Sequence, residues 1–393
     1  MTAFRDVPAK LHCVPVLRRG TFLHNCTAYH SSKTVPQCSY AGTSLCAGLV
    51  LGAVLMLGGC VPGGAPAPQA SSAVGERIAV TRYTVRAGRP AMGTLLELSL
   101  VMRDPDRGQR ATQALFARVL ELERLFTTYA PDSALNRLSD AAARGAQPVD
   151  IRLARILGES LAYTRRTDGA FDISVGPLVE LWSRAGESGR VPSDAEIAAT
   201  LLRVGPAGIH IRNIGPTVEL KHRGMRLDLS GIAKGWALDR LAEMLDAGGV
   251  RDALLDFGQS SILALGKPLD APVWTVALRA GDEGVAGIVS LRDGMGFSVS
   301  GALGRYFEID GVRYGHVIDP RSGRALTRNV QAAVVAPDAT AAEAWSTALT
   351  VLGPEGLARI EAEAGVEAHL LLEDGSSRTT SGWAEATAFE PAS

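Results

Sequence analysis

Hydrophobic positions change their spacing several times along the chain, and each change marks an element. Residues 79–86 (AVTRYTVR) and 95–102 (LLELSLVM) alternate or run apolar as strands do, joined across Gly88 and Pro90–Thr94. Ala111, Leu115, Val119, Leu122 and Leu125 then recur at helical spacing and predict a helix over 109–128. Pro131, Asp132 and Ser133 break it and supply a new N-cap for a short helix at Leu135–Ser139. A second long helix covers about 150–167, and 178–203 reads as a helical insertion with a mobile segment, SRAGESGR. A strand and turn near 208–229 follow, and 226–247 reads as strand, turn and helix. Arg226, Leu227 and Leu229 are strand-like, with Asp228 at the strand's end. Ser230-Gly231 makes the turn, and Ala237, Leu238, Leu241, Met244 and Leu245 form a helical stripe.

Short apolar segments come next, at 252–257, 261–265, 272–280, 286–291 and 296–300. Gly258-Gln259-Ser260, Gly266, Gly281-Asp282 and Asp293-Gly294 separate them, which implies hairpins in a largely antiparallel sheet. A hairpin turned at Asp310-Gly311 leads to His316 and the turn Asp319-Pro320-Arg321-Ser322-Gly323. Residues 330–336 read as a buried strand and 338–352 as a helix. A strand-rich block set between helical ones predicts an α+β fold rather than a doubly wound α/β one.

The beginning of the chain has a different composition. All five cysteines (Cys13, Cys26, Cys38, Cys46 and Cys60) lie within the first 60 residues. Residues 45–57, LCAGLVLGAVLML, form an apolar run of signal-peptide length, short for a membrane span, and Arg18, Arg19 and Lys33 precede it. The run ends in Leu57-Gly58-Gly59-Cys60, which resembles the bacterial lipobox, with Cys60 lipidated and left as the new N-terminus. Residues 1–60 are therefore expected to be an extension and signal peptide. Residues 61–78, rich in Pro, Ala, Gly and Ser, are expected to be a flexible tether, and 79–393 the folded domain. Processing would leave Cys60 alone and modified, so no internal disulfide is expected. The expected location is the bacterial cell envelope, lipid-anchored to the inner membrane on its periplasmic or extracytoplasmic side. A net charge of −1 and a pI near 6.7 give no electrostatic footprint for nucleic acid, so function must come from a local site.

Several residues are candidates for that site. A strand feeding a helix through small residues leaves free N–H groups at the positive end of a helix dipole, a ready place for phosphate. Lys234, in the first turn, opposes that dipole and suits either a neighbouring anion or a solvated surface. Asp168 and Asp172, between glycines, suit a metal- or hydroxyl-binding loop or ordinary turn chemistry. Glu343 and Thr347 share one helix face at i, i+4. Such a pair can hold a hard cation when carbonyl and phosphate oxygens complete the shell, or can simply be a solvated face. His316 is either a site residue on a rigid edge or a structural histidine. Tyr129, at a helix end, is either a core-edge residue or a ligand contact.

Taken in order, six pieces resemble the ApbE family of FAD:protein FMN transferases. They are Ala91-Met92-Gly93-Thr94, then Phe126-Thr127-Thr128-Tyr129 with Ser133, and Thr167-Asp168-Gly169-Ala170-Phe171-Asp172 with Gly176-Pro177. Leu227 to Gly235, Tyr314 to Gly323, and the helix bearing Ala342-Glu343 and Thr347-Ala348-Leu349 complete the set. The resemblance implies a T-fold-like α+β fold with FAD in a cleft between two lobes. It implies transfer of the FMN half of FAD to a Thr or Ser hydroxyl of an acceptor flavoprotein through a phosphoester bond, with Mg²⁺ required and AMP released. By the same resemblance Met92, Tyr129, Ala170, Phe171, Asp172, Asp228, Lys234 and Ile318 would contact FAD. Gly231 (through its carbonyl), Glu343 and Thr347 would hold Mg²⁺. His316 would be the general base, with Lys234 and Asp228 completing the catalytic set. The implied partners are FAD, acceptor flavoproteins and, through Cys60, the membrane.

Two departures stand out. Glu343 replaces the family's usual Asp, one methylene shorter. Phe257-Gly258-Gln259-Ser260-Ser261 replaces a Gly-Gly segment, which predicts a less close backbone approach there. Two other activities fit the same residues: hydrolysis of FAD to FMN and AMP by water, and flavin binding without chemistry.

Overall fold

The structure, a computed structural model, describes residues 81–212, 214–280 and 284–392. The expected signal peptide, Cys60, the tether, residues 79–80 and the Gly281-Asp282 turn lie outside these residues. Among the described residues no helix is long and apolar enough to cross a membrane.

An eight-stranded antiparallel sheet forms the frame. Its strands are β1 (Tyr83–Ala91), β2 (Thr94–Met102), β3 (Ala253–Phe257), β4 (Ser261–Leu265), β5 (Gly296–Gly301), β6 (Gln331–Ala336), β7 (Glu367–Leu371) and β8 (Ser377–Thr379). Spatial order equals chain order, and every pairing is antiparallel. β1 starts later and runs further than its sequence pattern suggests, taking in Gly88 and Pro90 up to the turn at Met92-Gly93. Proline is tolerated because β1 is the edge strand.

Helices fill the long connections. Between β2 and β3 run α1 (Pro105–Phe126), α2 (Ala134–Asp140), α3 (Ile151–Arg166), α4 (Gly176–Ser188), α5 (Asp194–Leu201) and α6 (Ala233–Ala247); α7 (Ala339–Leu352) joins β6 to β7. α1 begins before the expected residue because Asp104 caps it, accepting from the N–H groups of Asp106 and Arg107, with Pro105 in its first turn. Ser133 caps α2 as expected, through the Asn136 N–H at 3.0 Å.

Alternation along the strands feeds two cores. Leu96, Leu98 and Leu100 of β2 and Ala332, Val334 and Ala336 of β6 pack with α1, α6 and α7. Val101, Phe297, Ala333 and Val335 face the other way, onto Trp274, Val289, Leu291 and Trp383. β6 is buried on both faces, which is why it reads as an unbroken apolar run. A third cluster joins Leu178, Leu181, Trp182 and Ile197 of α4 and α5 to Phe307, Ile309, Ile318 and Ala325 of two small hairpins. Trp182 stacks on Tyr314 at 5.3 Å and donates from Nε1 to the Gly323 carbonyl at 2.8 Å, which ties the hairpins to α4.

Two local expectations change. The segment SRAGESGR is not a mobile loop: α4 continues through Ser188, and Gly189 caps it in the left-handed region at φ 65°. Gly186 lies so close to Phe307 that an added Cβ would sit 2.9 Å from its ring, so packing holds the helix where composition suggested a loop. The strand expected at 226–229 joins no sheet. Leu227 and Leu229 are buried as a strand pattern requires, but the neighbour is the 3-10 turn Ile173–Val175, which offers one carbonyl, that of Ile173, to the Asp228 N–H at 2.7 Å.

Candidate active site

Three sheet turns and strand ends gather at one edge of the frame: Met92-Gly93 between β1 and β2, Gly258–Ser260 between β3 and β4, and the end of β5. Together with the start of α6, the Glu343–Thr347 face of α7, the loop 170–172 and the His316 hairpin, they wall a cleft of about 540 Å³, within the range of small-molecule sites. Its walls come from both the main core and the α4 cluster, as a two-lobed fold requires.

The turn Met92-Gly93 has φ of 48° and 75°, a geometry that matches the twist of the hairpin it closes. The opposing turn holds Gly258 at φ 57° and Gln259 at φ 63°. An added Cβ at Gly258 would strike the Thr94 side chain, so the close approach is made by the glycine this chain retains. Gln259 adopts the left-handed conformation a glycine would take freely, and its N–H is held by Asp256 Oδ1 at 2.6 Å. Gln259→Gly is expected to stabilise the protein by about 1 kcal/mol, measured by chemical denaturation, because it removes the steric cost of that φ.

Ala170, Phe171 and Asp172 follow α3 through Asp168 and Gly169, at φ 48° and 75°. Thr167 Oγ1 accepts from the Phe171 N–H at 3.1 Å and fixes the loop. Asp172 is buried and accepts from both the N–H and the hydroxyl of Ser174, at 2.8 and 2.7 Å. Burial raises its pKa and those bonds oppose the rise. Asp168 points elsewhere and pairs with Arg359.

The residues expected to hold a metal converge from the turn before α6 and from α7. Thr347 Oγ1 lies 3.5 Å from the Gly231 carbonyl, and a Cβ on Gly231 would come within 3.1 Å of Thr347, so the two meet in a tight contact that glycine eases. Glu343, almost wholly buried, binds Lys234 Nζ through Oε1 and accepts the Gly235 N–H through Oε2 at 2.6 Å. An added Cβ at Gly235 would run into the Ala339 carbonyl, so close helix packing brings Glu343 to that N–H. The longer arm of Glu thus spans a cation and a helix N-terminus together. These are hard oxygen donors of the kind Mg²⁺ takes, few in number, with room for substrate oxygens. No group of three or more His, Cys, Asp or Glu suited to a metal occurs among the described residues. Asp228, half-buried, accepts from the Ser230 N–H at 2.8 Å and lines the same cleft.

His316 stands across the cleft on the hairpin anchored by Trp182 and Tyr314. Its own N–H and its Nδ1 both meet the Arg305 carbonyl, at 2.9 and 3.2 Å. A carbonyl can only accept, so Nδ1 carries the proton and Nε2 keeps a free lone pair. Burial, then the charges of Arg305 and Lys234, push its pKa down to about 4, with Asp228 opposing, so the ring is neutral at pH 7. Ile318, buried, lines the cleft two residues on.

Besides Asp168, Tyr129 is the expected residue that is not in the cleft wall. Its side chain is 81% exposed, on a loop braced by Asn136 Nδ2 to the carbonyls of Thr128 and Ala130. The lining also contains Arg305, Thr94 and Ser260, along with Ser298 and Ser346, whose hydroxyls meet at 3.0 Å. None was expected from the sequence. Serines at inward positions of an apolar strand and helix were a usable signal; for Arg305 there was none. A larger groove of about 860 Å³ beside α3 and α6 is lined by carboxylates with structural partners. Asp239 and Asp338 cap α7, Asp246 pairs with Arg251, and Asp252 pairs with Arg82.

Fold and site together define an α+β enzyme whose cleft sets a neutral imidazole opposite a lysine and hard oxygen donors. Residues 92–370 match the model of the ApbE family. The FAD:protein FMN transferases of Klebsiella pneumoniae and Escherichia coli are each 32% identical to this chain. The alignments cover 83% and 76% of it, and 92% and 87% of their own lengths. The solved flavin transferase ApbE from Vibrio cholerae superposes with a TM-score of 0.68 at 26% identity, over 78% of this chain and 99% of its own. The chain belongs to the ApbE family, as the ordered motifs implied.

Proposed function

We propose that the protein transfers the FMN moiety of FAD to a Thr or Ser hydroxyl of an acceptor flavoprotein. The observation that carries this reading is His316, neutral and with Nε2 free, in one cleft with Lys234, Glu343, Thr347 and the Gly231 carbonyl. The acceptor oxygen attacks the FMN phosphorus, and its proton passes to Nε2. The bond from that phosphorus to the bridging oxygen breaks, and AMP leaves with the electron pair. A phosphoester remains. Glu343, Thr347 and Gly231 would hold Mg²⁺, which supplies charge neutralisation at the pyrophosphate when bound. Lys234 and the N–H groups at the start of α6 act on the same charge. Met92, Ala170, Phe171 and Ile318 offer apolar surface for the flavin or adenine ring. We place the reaction outside the cytoplasm, at the inner membrane of a bacterial envelope, because Leu57-Gly58-Gly59-Cys60 has the form of a lipobox.

Intact mass spectrometry of an acceptor domain incubated with the purified protein, FAD and Mg²⁺ tests the reading. A gain of one FMN per acceptor, abolished by EDTA, is the expected result. AMP release without that gain would make the protein an FAD pyrophosphatase and sink the transferase reading.

A further inference from the structure

Six ionisable side chains line the cleft: Lys234, Arg305 and His316, and Asp172, Asp228 and Glu343. Most already have partners. Lys234 is bound by Glu343, Asp228 holds the Ser230 N–H, and Asp172 holds Ser174. The Arg305 guanidinium makes no ion pair or hydrogen bond among the described residues, and the side chain is exposed. Its backbone is firmly placed, because the Arg305 carbonyl takes both the N–H and Nδ1–H of His316. The guanidinium is thus tethered next to the proposed base, and its charge is felt there, being the second cause after burial of the depressed His316 pKa.

With Lys234 already paired to Glu343, the unpaired Arg305 is the cation of the cleft left free to meet an incoming anion. A pyrophosphate diester brings two negative charges. Lys234 is shared with a carboxylate, so it offers less than one full charge in return. A planar guanidinium can grip two phosphate oxygens at once, and it cannot be titrated away.

We propose that Arg305 is a catalytic residue that binds non-bridging oxygens of the transferred FMN phosphate. This rests on the flavin-transfer reading above. Because the Arg305 carbonyl holds His316, the cation that meets the phosphate and the base that takes the acceptor proton rise from neighbouring backbone. Charge that builds on the phosphate oxygens during attack is met by a cation already in place.

The test compares wild type with Arg305→Gln and Arg305→Lys in the full-length protein. Binding of FAD and of riboflavin, which has no phosphate, is followed by flavin fluorescence with Mg²⁺ present, and FMN transfer by intact mass. Arg305→Gln is expected to weaken FAD binding about tenfold or more, with riboflavin binding unchanged and transfer slower by a larger factor. Arg305→Lys should recover part of both. The acid limb of the pH profile should move upward in Arg305→Gln, since a charge that disfavours the imidazolium is gone. Unchanged FAD binding and transfer in Arg305→Gln would overturn the proposal, as would equal losses for FAD and riboflavin. If wild type transfers no FMN, the flavin-transfer reading fails separately, and the FAD-to-riboflavin comparison still decides whether Arg305 binds phosphate.

Discussion

Replacing His316 with alanine is expected to lower the rate of FMN transfer by about 10²–10⁴-fold while FAD binding changes little. The geometry gives His316 one role. Nδ1–H is held by the Arg305 carbonyl, so Nε2 alone is available to take a proton, and no hydrogen bond occupies it among the described residues. An acceptor hydroxyl is a weak nucleophile, and without the imidazole its proton must leave to water. The pH dependence is a sharper check. Transfer requires neutral imidazole, which predominates above the folded pKa of about 4 rather than above the ordinary 6.5. The acid limb of kcat/KM, which reports the free enzyme, is therefore expected near pH 4, and His316→Ala should lack it. The limb of kcat should lie higher, because bound pyrophosphate offsets the charges of Arg305 and Lys234. A wild-type limb of kcat/KM near 6.5 would show that burial and those cations do not govern the base.

Removing the Glu343 carboxylate is expected to cost about 3 kcal/mol of folding stability, as Glu343→Ala in urea unfolding. Two groups lose their acceptor at once. Lys234 Nζ, on a side chain only 21% exposed, is left without its ion pair, and the Gly235 N–H is left in a contact too tight to admit a Cβ. Glu343→Gln should cost less, since an amide oxygen still accepts from Gly235. The same variants separate the structural role from the metal role. Mg²⁺ should raise the melting temperature of wild type and leave Glu343→Ala unmoved, because a ligand stabilises only the state that binds it. If Glu343→Ala melts like wild type, the Lys234–Glu343–Gly235 bridge is not what holds α6 to α7.

The two departures from the family pattern have unlike consequences. Gln259 leaves the close approach intact, because Gly258 makes it; the cost is confined to one backbone angle. Glu343 changes the connectivity of the site. Its carboxylate reaches a lysine side chain and a helix N–H together, so a bound Mg²⁺ would compete with the lysine for the same oxygens. Under the proposed function this would couple the metal site to the phosphate cation, and the Mg²⁺ melts above test that coupling.

Much of this protein is legible in its sequence, and the reason is periodicity. Leu115, Val119 and Leu122 marked the buried face of α1. The apolar run at 330–336 marked a strand covered on both sides, and the spacing of Glu343 and Thr347 put both on one side of α7. The α+β class, the antiparallel hairpins and the order of motifs followed from such local patterns. What periodicity does not encode is which polar group meets which across the fold. Lys234 and Glu343 are 109 residues apart and meet only because Gly235 lets α6 and α7 touch. Arg305 orients His316 through a backbone carbonyl, and every residue type has one, so no side-chain pattern announces it. α4 runs through Gly186 because Phe307, more than a hundred residues on, packs against it. The segment 226–229 has a strand's alternation but no strand beside it to pair with. Local patterns decide which face of an element is buried; the tertiary structure alone decides what lies on the other side of that face, and that is where the base acquired its tautomer and the lysine its partner.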